Sequence, residues 1–236
     1  MLSNKPAIAF SSMTGIRRRT CMHVHLYGHA HIYAMINATR MPFQPHDAEA
    51  TTATSRLLFN LINQHSLEDD QIATKLLHMV HERLRQEYEA FFIPGGYTIE
   101  EETLATIMLA IVEPHRARLA WAGDAQAFWL RDADFQDSSV PHIFSQGDAN
   151  LRVVTSTLGA QQVHIDSRDW QLLPHDRIVL TRGVEFHQDA ELTLSRMLGE
   201  RQQEVALELI NSETIQSPRW IGVIVHDALQ KPDITP

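Results

Sequence analysis

GDAQAFWLRD, Gly123–Asp132, together with LLPHDRIVLTRGV, Leu172–Val184, is the part of this 236-residue chain on which the reading of the fold turns. Gly123-Asp124 separates two short strand-like runs, RLAWAG and AQAFWLR, and Pro174-His175-Asp176 opens a third, DRIVLT. Aliphatic, aromatic and β-branched residues in runs this short, bounded by Gly, Pro and Asp, mark strands and turns. ATIMLAIVE (105–113), SRDWQLL (167–173) and IGVIVHD (221–227) share that character.

Upstream, TCMHVHLYGHAHIYAMI (20–36) alternates apolar and polar residues on both sides of Gly28 and predicts a hairpin. Apolar residues then recur at three- and four-residue spacing over 47–63 (Leu57, Leu58, Leu61, Ile62) and 67–91 (Ile72, Leu76, Leu77, Val80, Leu84, Tyr88), predicting two amphipathic helices. Pro94-Gly95-Gly96 lacks a following Gly-Lys-Ser/Thr, so it is read as a connector from helix to strand and not as a phosphate loop. No GxSxG element suggests a serine hydrolase. Two more helices are expected at 189–198 and 201–212. Strands, two helices, strands, two helices and a last strand give an α+β domain with antiparallel sheets, not a parallel βαβ fold. One domain is expected over 12–228, with a separate N-terminal segment, 1–11, and a flexible tail, 229–236.

Twenty Lys and Arg against 29 Asp and Glu give a formal charge of −9, with 44% hydrophobic residues. That balance excludes a general nucleic-acid binder, which needs excess basic charge, and excludes disorder. The single cysteine, Cys21, rules out an internal disulfide and a cysteine-only zinc site, and fits a reducing compartment. No run of about 18 apolar residues is present, so no membrane insertion is expected. The basic run Arg17-Arg18-Arg19 follows a short apolar stretch, the reverse of a secretory signal, and a cytoplasmic location is expected.

The two quoted runs are similar to the GDSRAYLLRD and LLPGDRLLLCSDGL segments of the metal-dependent Ser/Thr protein phosphatases of type 2C, the PPM type. Other landmarks of that family fall in order: Gly15-Ile16-Arg17-Arg18 followed by Met22-His23 for GxxR and an acidic pair; IYAMINA (32–38) for the strand into an Asp-Gly turn; DAEATTATSRLLFNL (47–61); LATIML (104–109); VVTSTLG, Val153–Gly159; and RWIGVIVH (219–226) for the closing strand. The resemblance covers about residues 12–227. It implies a four-layer αββα sandwich, two antiparallel sheets with a helix pair on each outer face.

It also implies two Mn²⁺ or Mg²⁺ ions on clustered aspartates, activating a water that attacks phosphoserine or phosphothreonine. Such hard cations need oxygen ligands, chiefly carboxylates. Here the acidic pair reads Met22-His23, the Asp-Gly turn Asn37-Ala38, the Ser-Asp-Gly motif Thr181-Arg182-Gly183 and the final Asp-Asn Arg219-Trp220; Asp124 alone is retained. Guanidinium groups in place of carboxylates turn attraction for a cation into repulsion. No metal is therefore expected at this centre, and the chain reads as a pseudophosphatase: a regulatory or protein-binding module whose partner is phosphorylated or not. Arg182 or Arg219 is expected to pair with Asp124 in place of the cation, and Trp220 to plug the cleft. Two alternatives stand: a phosphomonoester hydrolase with an altered metal site, and a structural subunit of a larger assembly.

Arg18 falls on the phosphate-binding arginine of the family, and with Arg182 and Arg40 would suit a bidentate grip on phosphate; the arginine triplet by itself reads as a solvated strand end, the commoner use of a basic run. Of the 14 histidines, His23, His25, His29 and His31 lie on the hairpin. Together with Asp124 they form the alternative metal set, zinc at the hairpin, set against an ordinary half-exposed strand. Cys21 reads as a structural thiol, and Trp121, Trp129 and Trp170 as core or sheet-face residues.

Overall fold

A computed structural model describes residues 7–9, 21–41, 48–86, 89–93, 97–132, 134–146, 151–174, 176–182 and 222–227. The elements in chain order are β1 (Ala7–Ala9), β2 (Cys21–Tyr27), β3 (Ala30–Met41), α1 (Ala48–Gln64), α2 (Ile72–Gln86), β4 (Glu89–Ile93), β5 (Tyr97–Glu113), β6 (Arg116–Ala122), β7 (Ala125–Arg131), β8 (Asp134–Ser138), β9 (Ile143–Gln146), β10 (Leu151–Val154), β11 (Asp166–Gln171), β12 (Arg177–Arg182) and β13 (Gly222–Asp227). They form a six-stranded sheet in the order β11-β6-β5-β3-β2, with β4 added on β5, a five-stranded sheet in the order β1-β13-β12-β7-β8, and a small β9–β10 ribbon. Each of the paired strands runs antiparallel to its neighbour.

The two-residue period of the strands sorts their side chains into two cores. Ile32, Ala34 and Ile36 of β3 and Ile107, Leu109 and Ile111 of β5 join Leu58, Ile62, Leu76, Leu77 and Val80 of the helices in one cluster. Tyr33, Met35, Met108, Ala110 and Val112 point the other way and meet Trp121, Ala125, Ala127, Trp170, Ile178 and Leu180 between the sheets. Burial on both faces gives β3 the continuous apolar run Ile32–Ile36, where alternation was expected, and β5 the run Ile107–Val112. Each fully buried Leu or Ile contributes about 1.5–3 kcal/mol.

The expected hairpin is β2–β3, its strands joined by Gly28-His29 with Gly28 at φ +60°; a two-residue turn with glycine at its first central position favours that backbone. The second helix is shorter than its 67–91 pattern. Asp69 Oδ1 accepts the Gln71 amide at 2.9 Å, and buried Arg118 donates to the carbonyls of Leu67 at 2.6 Å and Asp69 at 2.7 Å, so 67–71 form a pinned turn before the helix. Beyond Gln86, EAFFI leaves the helical pattern and pairs as β4 with the first residues of β5, Phe91 opposite Ile99. Pro94-Gly95-Gly96 therefore links two strands, not a helix to a strand. Ala7–Ala9, set apart from the domain by their sequence, form β1 and pair with β13. The two helices expected at 189–198 and 201–212 lie outside the described residues. No helix among the described residues is long and apolar enough to cross a membrane.

Candidate functional site

The Gly123-Asp124 turn carries the chain from β6 of one sheet to β7 of the other. Gly123 sits at φ +115°, and a Cβ there would lie 2.4 Å from Cβ of Thr106, so the turn is seated directly on β5. Thr106 is the register partner of Asn37; its buried hydroxyl has no hydrogen-bond partner among the described residues. Asn37, Thr106 and Asp124 thus share one end of the inter-sheet layer. Beside them, Ala38 donates its amide to Thr51 Oγ1 at 2.9 Å and accepts from that hydroxyl at 3.1 Å. This exchange fixes the start of α1 against the end of β3 beyond the last described β2–β3 pair, Cys21–Ile36.

The sequence-derived metal positions are distributed as follows. Met22 and His23 lie on β2 opposite Met35 and Ala34. Arg182 is the register partner of Ala125, the residue after Asp124, and of Gly222. Arg40 lies opposite Thr103. The side chains of Met22, His23, Arg40 and Arg182, and all of Arg18, Arg219 and Trp220, lie outside the described residues, as does the expected pairing of an arginine with Asp124. Asn37 supplies an amide, Ala38 a methyl and Asp124 a carboxylate. These three described positions bring one carboxylate, whereas a pair of hard divalent cations takes several carboxylate oxygens.

The three hairpin histidines whose side chains are described, His25, His29 and His31, do not converge. His25 makes an edge contact with Phe59 of α1, at 5.9 Å between ring centroids, on the helix side of the sheet. His31 packs at 5.2 Å against His226 of β13, on the opposite face, and its burial holds the imidazole below its ordinary value of 6.5. His29 occupies the exposed turn. The two-residue turn pairs His25 with Ile32 and His31 with Leu26; cross-strand partners share a face and neighbours along a strand do not, so His25 and His31 fall on opposite faces.

A different group, which the sequence pattern did not single out, does converge. His142, His164 and Asp166 come together beside Gly123, whose amide donates to His142 Nδ1 at 3.3 Å. A cleft of about 320 Å³ lies elsewhere, lined by Asp70, Thr74, Arg118, Arg168 and Asp169, and contains none of the residues singled out from the sequence.

No protein-family model matches the chain, and no curated protein matches it. Solved structures do. Stp1, a serine/threonine phosphatase from Staphylococcus aureus, aligns at a TM-score of 0.73 and 12% identity over 97% of this chain and 96% of that one. A bacterial serine phosphatase aligns at 0.72 and 12% over 98% and 100%. PppA, a key regulatory component of T6SS in Pseudomonas aeruginosa, aligns at 0.63 and 18% over 95% and 96%. The fold of this chain is that of the PPM-type, type 2C-like phosphatases.

Proposed function

We propose that this chain is a catalytically degenerate type 2C phosphatase-like module that acts by binding a protein partner in the cytoplasm. The observation that carries the reading is the rewritten donor set: Met22-His23, Asn37-Ala38, Thr181-Arg182 and Arg219-Trp220 stand where the resemblance expects carboxylates. Two of the four replacements bring a guanidinium, which repels the cations that the phosphatase reaction uses. Regulation through protein contact is supported by the likeness to PppA, itself a regulatory component. Arg18, the retained phosphate-binding position, favours a phosphorylated partner.

The test is hydrolysis of p-nitrophenyl phosphate and of a phosphoserine peptide in Mn²⁺ and Mg²⁺, beside titration of the same peptide for binding. No turnover above the uncatalysed rate is expected, with peptide binding weakened at least tenfold by Arg18→Ala. Metal-dependent turnover abolished by Asp124→Ala would instead establish a hydrolase with a rebuilt centre. The reading as a structural subunit has its own support in exposed Val140, Phe144 and Val153 around the β9–β10 ribbon. It predicts stable assembly with a partner that phosphopeptide does not displace.

A further inference from the structure

We infer that His142, His164 and Asp166 form a binding site for one borderline divalent cation, zinc in chemical class. None of the three belongs to the positions that the resemblance marks for metal. Asp166 Oδ2 lies 3.2 Å from His142 Nε2 and Oδ1 lies 2.8 Å from His164 Nε2. The two rings are 5.2 Å apart between centroids, and the three ligand atoms all lie within 4.8 Å of one another. Ligands of a tetrahedral zinc ion at about 2.0–2.2 Å from the metal stand about 3.3–3.6 Å from each other, so small side-chain adjustments close the set. Two imidazoles and one carboxylate suit zinc far better than magnesium, which demands an oxygen shell.

The backbone beneath each ligand is pinned. His142 donates its amide to Gly123 O at 2.8 Å, and its carbonyl accepts the Thr155 amide at 2.9 Å. Its ring stacks on Trp121 at 6.3 Å, with the side chain only 9% exposed. The amide and carbonyl of His164 both bond Ser156 Oγ, each at 2.8 Å. Asp166 opens β11, opposite Trp121 of β6. A set held in this way loses little freedom when an ion arrives. His164 is 72% exposed, so the ion has an entry path and a fourth position open to water, the composition of a site that keeps an exchangeable ligand.

Ligation through His142 Nε2 leaves the remaining ring proton on Nδ1, where it meets the Gly123 N–H donor to donor, so the ring and the turn must move apart. The 3.3 Å contact from that amide is then given up, and the Gly123-Asp124 turn reports whether the ion is bound.

The experiment is titration of the full chain, stripped with chelator, by Co²⁺ and Zn²⁺, reading the visible Co²⁺ spectrum, metal content after dialysis and the Gly123 amide resonance. One ion per chain is expected, with tetrahedral Co²⁺ bands and a displaced Gly123 signal. His164→Ala, at an exposed position, and the isosteric Asp166→Asn are each expected to weaken binding at least tenfold. The paired control His25→Ala/His29→Ala leaves it unchanged. Absence of binding, binding that survives both site variants, or binding lost only in the hairpin control overturns the assignment. These readouts are independent of turnover, so they stand or fall separately from the pseudophosphatase reading.

Discussion

The Tyr33 hydroxyl of β3 lies 2.6 Å from Nδ1 of His226 on β13, a buried hydrogen bond between the two sheets that joins residues 193 positions apart. The rings meet edge to face at 5.5 Å, and His31 packs on the same imidazole. Tyr33→Phe keeps the packing and removes the bond. It is expected to lower stability by about 1–2 kcal/mol, read as a reduced midpoint in urea at unchanged slope. A midpoint within error of the parent chain would mean that the bond contributes nothing net.

Arg131 grips Asp176 with Nε and Nη2, each 2.8 Å from a carboxylate oxygen, while the Leu173 amide donates to the same group at 2.8 Å. Asp176 is fully buried. Arg131→Ala leaves that charge without its counterion and is expected to cost about 3 kcal/mol. Arg131→Ala combined with Asp176→Asn should lose less than the sum of the single variants, because the amide oxygen still accepts from Leu173 and carries no charge. Strict additivity in denaturant melts would mean that the two side chains are not coupled.

Two glycines with positive φ separate conformational strain from steric collision. Gly28 has nothing within 4 Å of an added Cβ, whereas a Cβ on Gly159 would sit 2.1 Å from the Thr103 carbonyl oxygen. Gly28→Ala is expected to cost about 1 kcal/mol, the strain of a left-handed backbone alone. Gly159→Ala adds displacement of β5 and is expected to cost about 3 kcal/mol or more. Thermal unfolding ranks the two, and equal losses would mean that contact with Thr103 adds nothing to the cost at Gly159.

Burial holds the His81 imidazole below its ordinary value of 6.5, with Arg85 and His78 acting in the same direction against Glu82. Its Nδ1 accepts the Gly159 amide at 3.1 Å. The unfolded chain takes up this proton more readily than the folded one. The resulting stability is therefore complete above pH about 6.5 and drains as the pH falls below that value. His31 contributes in the same sense. The melting temperature is expected to fall between about pH 7 and pH 5.5, less steeply in His81→Gln, which retains an acceptor for Gly159 without titrating. An identical slope in parent and variant would exclude His81 from the effect.

The fold was legible because its signals are local: the alternation around Gly28, the strand runs on either side of Gly123-Asp124, and the stripe of Ile72, Leu76, Leu77, Val80 and Leu84. The two most informative motifs are also joined in space, since Arg131 lies near the end of one and Asp176 within the other. They specify a scaffold contact, which survives whatever happens to a reactive centre. β4 was hidden because the helical spacing of the sequence runs on past Gln86 to Phe91, whereas Glu89–Ile93 pair with β5. The His142, His164 and Asp166 group was illegible for another reason. Only the His-x-Asp spacing of 164 and 166 is local, and His142 reaches it through a fold that brings the segment before β9 beside the start of β11. Around the hairpin the reverse held: dense histidine spacing suggested convergence, and the register across the two-residue turn sent His25 and His31 to opposite faces.

The β1–β13 pairing has a consequence for how the protein is made. Ala7–Ala9 find their partner, Val223–Val225, only after the more than 200 residues between them have been synthesised. The five-stranded sheet can close only late, whereas β2, β3, α1 and α2 can associate early through neighbours in sequence. A ribosome-bound chain stalled before β13 would present β12 with an unfilled edge, a surface in need of protection until β13 emerges.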